Sequence, residues 1–175
     1  MNYFELFALN HSFVLDTNEL RAKYLELQRA VHPDKFANAS EQDRLLAVQQ
    51  SARINDGFGM LKTPISRAEY LLSLAGIELA HEYQTIKDPM FLMEQMELRE
   101  ALEDISTSSD PEQEIIDFQQ QIDRHIRGFE QQFVDLFAAG DQSSLNTAAD
   151  NVRKLKFMLK LATEARELEE RLLGF

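Results

Sequence analysis

Apolar residues recur along this chain at steps of three and four, the period of one face of an α-helix, and capping residues stand where those runs begin. Asp16 and Glu19 form a D-x-x-E capping pattern, after which Leu20, Tyr24, Leu27 and Val31 share one face. Pro33 forces that helix to stop near Val31, because a residue before proline avoids the helical region. Ser40 caps a second long helix, along which Ala47, Ser51, Ile54, Phe58 and Leu61 alternate at four- and three-residue steps, the seam of an antiparallel pair. A short helix over Tyr3–Leu9 is expected to pack across that pair. Thr63-Pro64 opens a further helix with Tyr70, Leu71 and Leu74 as its apolar face, and Gly76 closes it.

Residues 77–87 read as a linker. Asp88-Pro89 then starts a helix to about Ile105, with Phe91, Leu98, Leu102 and Ile105 as its core stripe. Ser106–Asp110 is a polar turn, and Asp110-Pro111 opens the next helix, lined by Ile115, Ile122, Phe129, Phe133 and Leu136 and closed by Gly140. A last helix from about Gln142 to Leu172 carries Ala148, Val152, Leu155, Leu159, Ala162 and Leu168. No segment alternates with period two, so no sheet is predicted. The expected fold is all-α: an antiparallel helical hairpin with short flanking helices over 1–76, the linker 77–87, and an antiparallel three-helix bundle over 88–175.

Composition narrows the chemistry. The 175 residues are 44% hydrophobic, enough for a packed core, and include neither cysteine nor tryptophan. Disulfides, thiolate metal sites and thiol catalysis are thereby excluded. The N-terminus lacks a basic segment followed by an apolar run, and no stretch is long enough to span a bilayer, so the expectation is a cytoplasmic protein with no membrane partner. The net charge of −12 disfavours nucleic acid. It is unevenly spread, with one net negative charge before residue 77 and eleven after it. His11, His32, His81 and His125 show no metal-ligand spacing, and the carboxylate pairs Glu97/Glu100 and Glu103/Asp104 lack the partners that a di-iron or glycosidase site needs. No phosphate-binding Gly-rich loop occurs. The basic residues Arg153, Lys154, Lys156 and Lys160 read as a helix face paired with acidic neighbours. No cofactor, metal site or catalytic site is expected.

Between the first two long helices stands Val31-His32-Pro33-Asp34-Lys35-Phe36. His-Pro-Asp framed by an antiparallel helix pair is the J-domain signature. Its residue types fit a contact rather than a reaction: proline stiffens the turn, Asp34 offers a carboxylate to a partner's cation, and His32 offers a ring and a donor. Arg21, Lys23 and Arg29 on the preceding helix, with Lys35, form a positive strip suited to an acidic partner surface.

The chain as a whole resembles the HscB family of J-type co-chaperones of iron–sulfur cluster assembly, in its bacterial form. The resemblance rests on Tyr3-Phe4, Leu6-Phe7, Leu27-Gln28-Arg29, His32-Pro33-Asp34-Lys35-Phe36-Ala37, Ala68-Glu69-Tyr70-Leu71-Leu72-Ser73-Leu74, Phe91-Leu92-Met93-Glu94-Gln95, Glu97-Leu98-Arg99-Glu100 and Val152-Arg153-Lys154-Leu155. It implies that the first unit engages and stimulates an HscA-type ATPase of the DnaK class, and that the bundle binds an IscU-type scaffold. The scaffold-binding residues it implies are Leu92, Met93, Met96, Glu97, Glu100, Asp104 and Phe157, with Met96 and Asp104 matching the family in character. Leu92, Met93 and Met96 are also surplus to the core stripe of their helix, and surplus apolar residues beside charge mark a binding surface. The alternative is a J-domain adaptor for a different client. An adaptor needs no self-association, so a monomer is expected.

Overall fold

The computed structural model describes residues 1–79 and 86–174, and among them it contains helices and turns but no strand. The elements are α1 (Tyr3–Leu6), α2 (Thr17–Ala30), a 3-10 turn (Pro33–Phe36), α3 (Glu41–Leu61), α4 (Pro64–Leu74), α5 (Pro89–Ile105), α6 (Pro111–Ala139) and α7 (Gln142–Leu173). Cap chemistry sets where they start. The side chains of Asp16, Ser40, Thr63, Asp88, Asp110 and Asp141 each accept a backbone N–H of the first turn. Caps such as Ser40 and Thr63 are worth about 1 kcal/mol each. The chain divides into two compact units, Met1–Gly76 and Ile77–Phe175.

In the first unit α2 and α3 lie antiparallel, and α1 and α4 pack on α3. Leu20, Ala47, Ile54 and Leu61 are buried as the periodicity requires. Between the two long helices runs a polar clasp. Asn55 Oδ1 accepts from Tyr24 Oη at 2.8 Å and from Gln28 Nε2 at 2.7 Å. Ser51 Oγ donates to Gln28 Oε1 at 3.1 Å, and the Tyr24 and Phe58 rings stack at 4.3 Å.

Two expectations for this unit are corrected. The first helix stops at Leu6, because Ala8 takes a left-handed conformation (φ 52°). The Leu9 N–H then reaches the Phe4 carbonyl at 2.8 Å and the Ala8 N–H the Glu5 carbonyl at 3.0 Å, a Schellman closure with alanine where glycine is usual. On α4, Leu74 is exposed, and the buried face is Arg67, Ala68, Leu71 and Leu72. Arg67 is tolerated inside because Nε donates to the Leu61 carbonyl at 3.0 Å and Nη1 to the Phe13 carbonyl at 2.7 Å, with the guanidinium 5.7 Å from the Phe13 ring centre.

In the second unit α5, α6 and α7 enclose one core. Phe91, Leu98, Leu102 and Ile105 from α5 meet Ile115, Phe118 and Ile122 from α6 and Met158, Leu161, Ala165 and Leu168 from α7. The stripe on α7 departs from the pattern between Leu155 and Leu168, both of which are buried as expected. Leu159 and Ala162 are only partly buried, whereas Met158 and Leu161 are fully enclosed. A step of three, rather than four, turns the buried face toward the flank where α5 adds a second wall. Enclosing those two side chains contributes roughly 1.5–3 kcal/mol each. Of the segment read as a linker, residues 80–85, with His81, lie outside the described residues, and Ile86 joins the bundle core. Among the described residues no helix is long and apolar enough to cross a membrane.

Candidate functional site

Two surfaces emerge, one on each unit. The first is the corner between α2 and α3. α2 ends with Val31 as its C-cap, and His32 caps the 3-10 turn that carries Pro33 at its start, where a missing N–H costs nothing. His32 Nδ1 accepts the Asp34 N–H at 3.2 Å, and the His32 carbonyl accepts the Lys35 N–H at 3.0 Å. An imidazole that accepts at Nδ1 carries its proton on Nε2, so the ring keeps a donor for another molecule. The Asp34 side chain stands 3.6 Å from Nδ1 and is 93% exposed, and the His32 side chain is 58% exposed. This backbone is held by local bonds while its carboxylate points at solvent. Phe36 is half-buried and, with Val31, Pro33, Ala47 and Val48, lines an apolar groove beside the corner. The sequence signal for that groove is Val48, an exposed apolar residue off the core stripe of α3.

The cations do not form one strip. Arg21, Arg29 and Lys35 are exposed. Lys23 instead donates to the Ala8 carbonyl at 2.8 Å and pairs with Glu19 at 3.1 Å. Residues two apart on a helix are turned by about 200°, which carries Lys23 away from Arg21 and commits its ammonium to its own unit.

The second surface is the outer face of α5. His125 pairs with Glu94 at 3.3 Å and Arg99 with Glu164 at 2.8 Å, tying α5 to α6 and α7 on its two flanks. With Phe91, Leu98, Leu102 and Ile105 turned inward, the helical period places Met93, Met96, Glu97, Glu100 and Asp104 on the opposite side, and all five are exposed. Leu92 is exposed as well. A shallow depression on this face is lined by Met93, Met96, Glu97, Arg99, Glu100 and Glu103. Arg99 and Glu103 were not among the sequence-derived contacts, although Glu103 follows Met96 and Glu100 at helical spacing. Phe157 stands apart in character. It is half-buried on α7, packed on the core with its ring 6.1 Å from that of Phe91 in an edge contact.

α5 carries five carboxylates against one arginine. Glu103 and Asp104 lie in its last turn, where the helix dipole already presents negative charge. At the other end Asp88 caps the helix and accepts the Lys154 ammonium at 2.8 Å, and the ammonium also stands 5.5 Å from the Phe91 ring centre. That hydrogen bond, followed by the one from the Phe91 N–H, holds the Asp88 carboxyl below its ordinary range. Lys154 thus pairs with an acidic neighbour, and Arg153 does so with Asp150 at 2.5 Å. Among the described residues no three histidine, aspartate or glutamate side chains gather as metal ligands do.

Residues 87–166 match the family model described as the HSCB C-terminal oligomerisation domain. The co-chaperone protein HscB homolog of Shewanella loihica is 56% identical over 98% of this chain and 99% of its own length. The structure of chaperone HscB from Vibrio cholerae superposes with a TM-score of 0.86 at 48% identity, covering 98% of this chain and 99% of that one. Human co-chaperone HscB gives a TM-score of 0.84 at 28% identity, covering 97% of this chain and 82% of that one. Full-length identity and a shared all-helical architecture lead to one conclusion: the chain belongs to the HscB family of co-chaperones.

Proposed function

We propose that residues 1–76 act as a J-domain that docks on a DnaK-class ATPase of the HscA type and stimulates its ATP hydrolysis. On this reading the bundle, from residue 88 onward, presents an IscU-type iron–sulfur scaffold to that chaperone. The observation that carries the first half is the locally braced corner with its Asp34 carboxylate in solvent. Pro33 and the His32 caps remove backbone freedom before docking, so less ordering entropy opposes the contact. Arg21, Arg29 and Lys35 supply positive charge around it, and the neighbouring groove takes an apolar contact.

The second half is supported by the α5 face, where methionine side chains that adapt to a partner's shape sit among carboxylates. Glu103 and Asp104 oppose the dipole of their own helix, a folding cost that a cationic partner surface offsets. Leu92, Met93, Met96, Glu97, Glu100 and Asp104 make the contact, and Phe157 supports it from α7 through Phe91. The protein performs no chemistry of its own, works in the cytoplasm, and acts as a monomeric adaptor, since a single chain carries both surfaces. Although the description of the family model speaks of oligomerisation, sedimentation at micromolar concentration is expected to show one species near 20.2 kDa.

The decisive measurement is the ATPase rate of an HscA-type chaperone with this protein added, with and without IscU. Stimulation that rises further with the scaffold is expected, and Asp34→Asn abolishes it with helicity unchanged. Full stimulation by Asp34→Asn overturns the corner assignment.

A further inference from the structure

All sulfur in this chain is methionine sulfur, because there are six methionines and no cysteine. Its distribution is uneven. Met158 is wholly buried in the bundle core, whereas Met90, Met93 and Met96 stand within seven residues of α5 and are 82%, 63% and 70% exposed. Two of them, Met93 and Met96, line the depression shared with Glu97, Glu100 and Glu103.

We infer that Met93 and Met96 are a reversible oxidation site that weakens docking at the α5 face, an inference that rests on the docking role given to that face above. The oxidant is hydrogen peroxide. It is neutral, so the carboxylates around the thioethers do not repel it as they repel an anionic oxidant. A sulfur lone pair attacks one peroxide oxygen, the O–O bond breaks, an S–O bond forms, and the second oxygen leaves as water after taking up the proton. Sulfur is oxidised by two electrons and peroxide is reduced by two. The product is a polar sulfoxide where a flexible apolar group stood. Burying it against an apolar partner surface leaves its oxygen without the hydrogen bonds that water supplied, while Leu92 on the same face cannot be oxidised. Docking is therefore weakened rather than lost. Reduction with a thiol-dependent sulfoxide reductase restores the thioether.

The test uses the full chain, treated with hydrogen peroxide, mapped for sulfoxides by mass spectrometry and titrated calorimetrically with IscU. Oxidised protein is expected to bind at least tenfold more weakly, with Met158 unmodified and helicity unchanged, and to recover after incubation with the two stereospecific methionine sulfoxide reductases. The variant Met93→Leu/Met96→Leu, which keeps Met90, should bind equally well before and after peroxide. Undiminished binding by the oxidised native chain, equal sensitivity in the leucine variant, or loss of helicity on oxidation overturns the inference. Failure of the untreated chain to bind overturns the docking role itself, and this inference with it.

Discussion

Gly57 lies where α3 meets α1, and a methyl group there would stand 2.8 Å from a Tyr3 ring carbon and 3.0 Å from one of Phe7. Tyr3 has little room to yield. Its N–H donates to Tyr70 Oη at 2.9 Å, and the two rings are 5.1 Å apart. Gly59, two residues on, has nothing within 4 Å of the same position. Gly57→Ala is therefore expected to destabilise the first unit by about 1–3 kcal/mol through overpacking, despite the better helix propensity of alanine. Gly59→Ala should stabilise it by roughly 0.5–1 kcal/mol. Urea titration followed by tyrosine fluorescence checks this, since three of the four tyrosines precede residue 77. Equal shifts in the two variants would refute the close approach. Neither this role for Gly57 nor the burial of Arg67 was legible beforehand. A glycine in a helical run reads only as a weak spot, and an arginine only as surface, until the segment that packs on it is known.

At the scale of the element, α5 shows both what capping reveals and what it conceals. Asp88-Pro89 marked its start correctly, but the ion pair that Asp88 forms with Lys154, 66 positions later, depends on α7 lying alongside. Because folding lowers the Asp88 pKa, its contribution to stability is fully present above the ordinary carboxylate value. It is lost as pH falls through the lowered folded value. Thermal melts of the native chain and Asp88→Asn should differ at pH 7 and converge on acidification below about pH 4. A gap that widens toward acid would show the sign to be wrong. The buried stripe of α7 makes the same point. Periodicity alone placed it up to Leu155 and again at Leu168, whereas between them a second neighbour moved it by one position, from Leu159 and Ala162 to Met158 and Leu161.

Across the whole molecule, the two candidate surfaces belong to separate compact units, so their functions should come apart on mutation. Asp34→Asn is expected to leave scaffold affinity untouched. Leu92→Ala/Met93→Ala/Met96→Ala should weaken scaffold binding at least tenfold while preserving the stimulation of ATPase seen without scaffold. These three positions make a cleaner test than Phe157, whose removal would also strip an edge contact from the Phe91 ring in the core. Calorimetry and ATPase rates on the same two variants decide it, and loss of both activities in either variant would contradict the division of labour. The all-helical class, the helix starts, the His-Pro-Asp corner and the surplus apolar residues of α5 are all legible in the amino-acid sequence. Each of these follows from local rules: a proline's ring, a capping oxygen, a period of three and four. Packing between segments is what turns Lys23 back onto Ala8, encloses Arg67 and sets Phe157 against the core. Those outcomes depend on which segments, distant along the chain, come to share a wall, and no local propensity encodes that.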